Sequence, residues 1–429
     1  MEAFDYINFL NLDGSLMGLL ALSLFFVVIA IVRPYLAIAM LCIYTEFPWS
    51  ASFKPLLTVY PIYPLAAVLL LRYARQIADA LSKRRYNIAV VFAFIIALWA
   101  ALSPLFYPVR DGIPITFTQN PVMHRALQTI AILVLLPAVL CTRDDINRLI
   151  RSIFFLLMSV HVIVLIFAFF FVFSGYPLSD LHKMRILNTP PVYWESGLLL
   201  ICLVYFFILR KGSSLRLICF SILACFGLIV GNSRARFVAS MLCILYFIRP
   251  YLSVRIFAGI VAFLFFIFVS VIAMPERTKD YLLKLVVKRV EQSTKGNLDK
   301  ISNSRIEQYK AAINQWEKSP LIGVGSGYTM PPIRMIGTTK PIRVRIHNHF
   351  LEVLTAQGIV GFILLITILI STLKKTLIIT KEKADKEIDG RLIIALFIYG
   401  IINWLFKESW GTTYATIAMI GAYKQVIND

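Results

Sequence analysis

His347-Asn348-His349-Phe350-Leu351-Glu352 runs through Gly358-Ile359-Val360-Gly361 into an apolar stretch. An ionisable ring and an amide therefore stand where a long polar segment meets a hydrophobic one, and polar groups at such a boundary are costly enough to mark function. Asn348 suits the N-cap of a short helix over residues 349–357, and Gly358 suits its C′ position. His347 then lies one residue before the cap, at the positive end of a helix dipole. The dipole and nearby arginines favour the neutral ring at pH 7, and a neutral imidazole accepts a proton where an imidazolium cannot. The chemistry this spacing suggests is general-base catalysis; the plainer alternative is a histidine that caps or packs at the boundary. His161, in the middle of Met158-Ser159-Val160-His161-Val162, reads as structural, and His124 and His182 have no constellation around them.

Two arginine groupings could act with that histidine. Gly231-Asn232-Ser233-Arg234-Ala235-Arg236 separates two apolar segments with almost no connection, so both arginines belong at or just below a membrane interface. Arginines there commonly snorkel. Their guanidinium groups also bind phosphate bidentately and stay charged under all conditions, which suits a diphosphate. Ser304-Arg305-Ile306-Glu307 reads as a capping box opening a helix over about residues 305–318, with Ile306, Tyr309, Ile313 and Trp316 as its apolar face and Pro320 ending it. Arg305 is then the first helical residue, where the dipole disfavours a cation. An anion shared between Arg305 and the free backbone N–H groups would explain it; otherwise it is a surface residue that snorkels or pairs with Glu307. Gly323-Val324-Gly325-Ser326-Gly327 has the composition of a phosphate cradle but lacks the Lys and helix of a P-loop and the βαβ setting of a dinucleotide site, so it reads as a flexible turn.

The elements that must position these residues are hydrophobic. The 429 residues are 59% hydrophobic and 15% charged with mean hydropathy +0.78, which excludes a soluble domain of this size. Apolar runs recur at 16–32, 89–102, 153–173, 198–209, 257–273 and 361–373, and hydropathy predicts about 12 or 13 spans in one integral membrane domain over residues 1–429. The start is acidic (Glu2, Asp5, Asp13) with no Lys or Arg before Arg33, so the first apolar segment is expected to stay as a span. The net charge is +20, and its basic stretches at 72–85, 143–151 and 374–391 alternate with spans so that all face one side, the cytoplasm by the positive-inside rule. The opposite face then receives 104–125, 174–195, 231–236, 274–346 and 406–413, which brings both arginine groupings and His347 to one extracytoplasmic surface.

The long loop, residues 275–346, is of a length that usually signals function. From Met274 to Ile346 it holds 14 Lys and Arg against 6 Asp and Glu. A solvated face is the plain reading of that charge and an anion site the sharper one. Within it, residues 281–290 place Leu282, Leu285, Val286 and Val290 on one stripe suited to a membrane surface. The six cysteines lie in or at the ends of apolar segments, in no metal-binding spacing, so neither disulfides nor zinc are expected.

Taken together, His347-Asn348, nine residues, then Gly358-x-x-Gly361 resembles the signature of the O-antigen ligase / O-antigen polymerase superfamily, polytopic bacterial glycosyltransferases that use lipid-linked glycans. Ser233-Arg234-Ala235 resembles that family's first essential arginine. Ser304-Arg305, ahead of Ser319-Pro320-Leu321-Ile322-Gly323-Val324-Gly325, resembles the second. The three stand in the family's order over roughly the C-terminal half, while the N-terminal half agrees in hydropathy alone. The resemblance implies an all-α, polytopic, GT-C-like protein of the bacterial inner membrane whose active site, under a partly helical loop, faces the periplasm. It implies metal-independent, inverting transfer of a glycan from undecaprenyl diphosphate to a sugar hydroxyl, with no cofactor and no nucleic-acid partner; the outward loops carry no DxD-like carboxylate pair. His347, Arg234 and Arg305 would be catalytic, and Arg236, Asn348, His349 and Arg345 would contact substrate. Arg236 is the alternative to Arg234, and His349 the alternative to His347, which the family pattern favours. The acceptor would be lipid A–core for a ligase or a lipid-linked repeat unit for a polymerase. The reading leans to the ligase because lipid A–core phosphates suit the basic loop. A lipid-linked oligosaccharide flippase is the alternative of a different class; it predicts charges scattered along the spans and internal repeats, whereas the charges concentrate at one face.

Overall fold

A computed structural model of the chain describes residues 16–44, 62–106, 109–110, 113–114, 121–174, 196–210, 234–248, 305–325, 346, 348–382, 388–406 and 411–428. Among these, thirteen α-helices and one pair of two-residue strands are formed. The helices are α1 (Leu16–Val32), α2 (Pro34–Tyr44), α3 (Ile62–Arg72), α4 (Ala74–Ser82), α5 (Ile88–Phe106), α6 (Pro121–Val139), α7 (Arg143–Phe173), α8 (Ser196–Arg210), α9 (Arg234–Ile248), α10 (Arg305–Trp316), α11 (His349–Glu382), α12 (Ile388–Phe406) and α13 (Gly411–Asn428). Between α5 and α6, β1 (Val109–Arg110) and β2 (Ile113–Pro114) pair antiparallel, Val109 opposite Pro114 and Arg110 opposite Ile113.

Local chemistry sets several of these boundaries. Pro34 and Pro121 occupy the first positions of α2 and α6, where the missing N–H costs nothing and the fixed φ suits the helix. Asn87 Oδ1 caps α5 by accepting the N–H groups of Ala89 and Val90 at 2.9 and 3.1 Å. At α7, Thr142 Oγ1 accepts the Asp145 N–H at 3.2 Å while Asp145 Oδ2 accepts the Thr142 N–H at 2.9 Å, a reciprocal cap.

Packing is of the small-residue kind. On α5, Ala89, Ala93, Ala97 and Ala100 form one buried stripe, which lets neighbouring backbones approach closely, while Val91, Ile95, Leu98, Trp99 and Leu102 are exposed. α5 packs against both α6 and α11. The largest fully buried side chains include Trp404, Tyr205, Tyr399, Tyr414 and Tyr423. Two of the described helices contain stretches long and apolar enough to cross a bilayer, Arg143–Ile163 and His349–Ile378, and shorter apolar helices surround them.

A few contacts fix helix direction. Tyr86, just before α5, donates to the Val134 carbonyl late in α6 at 2.8 Å, so α5 and α6 run antiparallel. Gly421, in the second half of α13, lies against Asn87 and Val90 at the start of α5, so α13 is also antiparallel to α5. Asn348 at the head of α11 bonds Leu405 at the tail of α12, and His349 meets Tyr414 at the head of α13. The starts of α6, α11 and α13 and the ends of α5 and α12 therefore gather at one end of the bundle.

The apolar runs expected at 16–32, 89–102, 153–173, 198–209 and 361–373 all lie within helices. The run at 257–273 and the surface helix at 281–290 lie outside the described residues. One boundary differs from expectation. Arg125, taken as the end of an outward loop, stands in the second turn of α6 and is buried, because Pro121 starts that helix four residues earlier.

Candidate functional site at the head of α11

The head of α11 is built as the sequence predicts, and then further. Asn348 Oδ1 accepts the Leu351 N–H at 3.0 Å, capping the helix, while its Nδ2 donates to the Leu405 carbonyl at 3.2 Å. One residue later, His349 is fully buried. Its Nδ1 lies 3.0 Å from Glu352 Oε2, one turn along the same helix, and its Nε2 lies 3.4 Å from the Tyr414 hydroxyl. The imidazole packs on Trp404 with ring centroids 4.6 Å apart, and Trp404 in turn packs on Tyr414 at 5.2 Å. Both ring nitrogens of His349, a residue expected to contact substrate, are thus directed at protein groups.

Nine residues into α11 the helix breaks where the sequence places its C′ glycine. Gly358 has φ of 67° and ψ of −165°, a conformation that only glycine adopts without strain. A broken helix exposes carbonyls on one side of the break and N–H groups on the other. The Ser319–Gly325 turn supplies the partners. Val324 and Gly325 donate to the Thr355 and Ala356 carbonyls, each at 2.9 Å, while Ile359 and Val360 donate to the Pro320 and Leu321 carbonyls at 2.9 and 3.3 Å. Gly323 and Gly325 hold positive φ to make these bonds. The described part of the glycine run expected to be a flexible turn, Gly323–Gly325, is therefore a backbone clamp. Its glycines permit close approach to α11: a Cβ on Gly323 would stand 2.3 Å from the Ala356 carbonyl carbon and the Gln357 nitrogen. Hydropathy and spacing could not reveal this, because the partners are main-chain atoms over thirty residues away.

The clamp also orients α10. Ala312 is buried with Ile346 and packs on Leu351, and the Thr355 hydroxyl lies 3.4 Å from the Ala312 carbonyl. Further along, Pro320 and Leu321 meet Ile359 and Val360. α10 thus packs on the part of α11 before the Gly358 break, and the turn that follows α10 packs on the break itself.

The face that α10 buries differs from expectation. Gln308 and Ala312 are buried, while Tyr309, Ile313 and Trp316 are only half-buried. Ala312 admits α11 closely, and bulkier neighbours are left at the margin; the Ile306 side chain lies outside the description. Glu307 pairs with Lys310 at 3.3 Å; Ser304, its expected capping partner, lies outside the described residues. Trp316 Nε1 donates to the Pro320 carbonyl at 3.0 Å and ties the helix end to the clamp.

Arg234 is the first residue of α9 and Arg236 the third, and α9 packs on α8 and α12. Their side chains, together with Ser233, Arg345 and His347, lie outside the described residues. His161 behaves as the structural histidine expected: it is buried, and its Nδ1–H donates to the Leu157 carbonyl one turn back at 2.7 Å. Sequence reasoning missed Glu352, Trp404 and Tyr414 around His349. The His349–Glu352 spacing of three on a helix was a usable signal; nothing in the local sequence ties either to residue 414. It also missed Arg125, Gln128 and Thr129, buried in the first turns of α6 at this same end of the bundle.

Among the described residues, polar groups collect at the helix ends on this side of the bundle. Residues 219–366 match the family model described as O-antigen ligase, a stretch that contains Arg234, Arg305, His347 and the whole Gly358 clamp. That match supports the resemblance of this part of the chain to the O-antigen ligase / O-antigen polymerase superfamily. No curated protein matches the chain.

Proposed function

We propose that this protein is a polytopic glycosyltransferase of the bacterial inner membrane that moves O-antigen or a related polysaccharide from undecaprenyl diphosphate to a sugar hydroxyl of lipid A–core. Residues 1–429 form one transmembrane domain with about a dozen spans, and residues 275–346 form a loop over a site facing the periplasm. The apolar exposed flanks of α5 and α11 support the membrane setting. His347 takes the proton from the acceptor hydroxyl as its oxygen attacks the anomeric carbon. The bond from that carbon to the diphosphate oxygen breaks, and undecaprenyl diphosphate leaves with the bonding pair. Arg234 and Arg305 hold the diphosphate and stabilise its developing charge, with Arg236 and Arg345 at the margins. One displacement inverts the anomeric configuration.

The observation that carries this reading is the coincidence of two independent facts. The O-antigen ligase match covers all three candidate groups, and α10, which Arg305 opens, packs on the segment of α11 that Asn348 caps. The test is transfer by the purified full-length protein in lipid nanodiscs, using undecaprenyl-diphosphate-linked glycan with either lipid A–core or a lipid-linked repeat unit. Product on lipid A–core, and its loss by at least about 100-fold in His347→Ala, are expected. Product only on the lipid-linked repeat would make the protein a polymerase. Movement of the lipid-linked glycan across a bilayer without transfer would make it a flippase.

A further inference from the structure

We propose that His349, Glu352 and Tyr414 are positioning residues that hold the head of α11, and with it His347, against the ends of α12 and α13. The proposal rests on the assignment of His347 as the base.

The head of α11 is over-determined for a simple helix start. Asn348 Oδ1 satisfies the cap by accepting the Leu351 N–H, and its Nδ2 donates to the Leu405 carbonyl of α12. His349 adds a second tie, to α13 through Tyr414 at 3.4 Å, and a third, to α12 through the Trp404 ring. A purely apolar residue would fill the His349 position at lower cost, since burying an imidazole against a carboxylate carries a desolvation penalty. What the polar set adds is direction. Glu352 lies in the first turn of α11, where the dipole favours a carboxylate, and it accepts the Nδ1–H of His349. Nδ1 faces Glu352 and Nε2 faces Tyr414, so one ring orientation meets both partners. His347 directly precedes Asn348 in the sequence, and this adjacency is what links the described contacts of the α11 head to the proposed base. A base must sit within hydrogen-bond reach of the proton it removes, and a displacement of about 1 Å costs on the order of 100-fold in rate.

The experiment compares kcat and KM of the full-length protein in nanodiscs, with lipid-linked glycan and lipid A–core extracted from the source bacterium. His349→Phe is expected to lower kcat about 10- to 100-fold, with KM for both substrates within about twofold of the parent. Glu352→Gln keeps an oxygen acceptor for Nδ1–H and should retain most of the rate. On the His347→Ala background, followed as residual single-turnover transfer, His349→Phe should add less than about threefold, because it acts through a side chain already removed. Full proportional loss on that background overturns the positioning role while leaving His347 as the base. Full activity of His347→Ala overturns the base assignment itself, and loss confined to His349→Phe would then make His349 the base. Tyr414→Phe removes one oxygen and keeps the ring, so it serves if His349→Phe does not fold. A lowered kcat at an unchanged melting temperature supports the proposal, and an unchanged kcat overturns it.

Discussion

Arg305 opens α10, where the helix dipole disfavours a cation, while the buried face of that helix is carried by Gln308 and Ala312. In the proposed reaction Arg305 holds the diphosphate together with Arg234. A planar fork binds two phosphate oxygens at once, whereas an ammonium of the same charge binds as a point. Arg305→Lys and Arg234→Lys should therefore each lower transfer by about tenfold or more, a loss of roughly 1.4 kcal/mol or more in transition-state binding. Steady-state rates at saturating acceptor measure it, and full activity in both variants would refute the diphosphate clamp. Asn348 and Gly358 were legible residue by residue because a cap and a left-handed stop depend only on local backbone chemistry. Tyr414 and Trp404 were not, because their meaning arises only when α12 and α13 fold back onto the head of α11.

At the scale of elements, α11 is two helices that share a name. The Pro320 and Leu321 carbonyls replace the acceptors that Ile359 and Val360 lose at the break, and the Ser319–Gly325 turn takes up the carbonyls of Thr355 and Ala356. A Cβ on Gly358 would stand 2.2 Å from the Leu321 carbonyl oxygen, at a φ that disfavours any side chain. Gly358→Ala is therefore expected to cost at least about 2 kcal/mol, combining backbone strain with the loss of clamp bonds. A clear fall in melting temperature in detergent checks this, and an unchanged melt would show that the clamp contributes little. Hydropathy reveals the helices and even the break, since apolar runs and a single glycine are visible in one dimension. It cannot reveal the clamp, whose hydrogen bonds join main-chain groups of any sequence. Nor could periodicity choose the buried face of α10, because close approach selected the small Ala312 over the larger Ile313 and Trp316.

For the whole molecule, charge placement makes the most exposed prediction. The basic stretch at 374–391 and the loop at 275–346 should lie on opposite sides of the membrane. In a cysteine-free background, Ser293→Cys should react with an impermeant maleimide in cells whose outer membrane alone is opened, and Ala384→Cys only after the inner membrane is breached. The reverse pattern would overturn the orientation and with it the periplasmic site. The fold carries one consequence for how such a chain can diverge. Gly325 is bonded to α11 through the Ala356 carbonyl, and Ile346 is buried against Ala312 of α10, so the residues that flank 326–345 are both anchored to one helix pair. Closing a tethered loop costs only about 0.6 kcal/mol for each doubling of its length. Related chains can therefore lengthen, shorten or rewrite that stretch at small thermodynamic cost, leaving it open to variation beside a frame that is not.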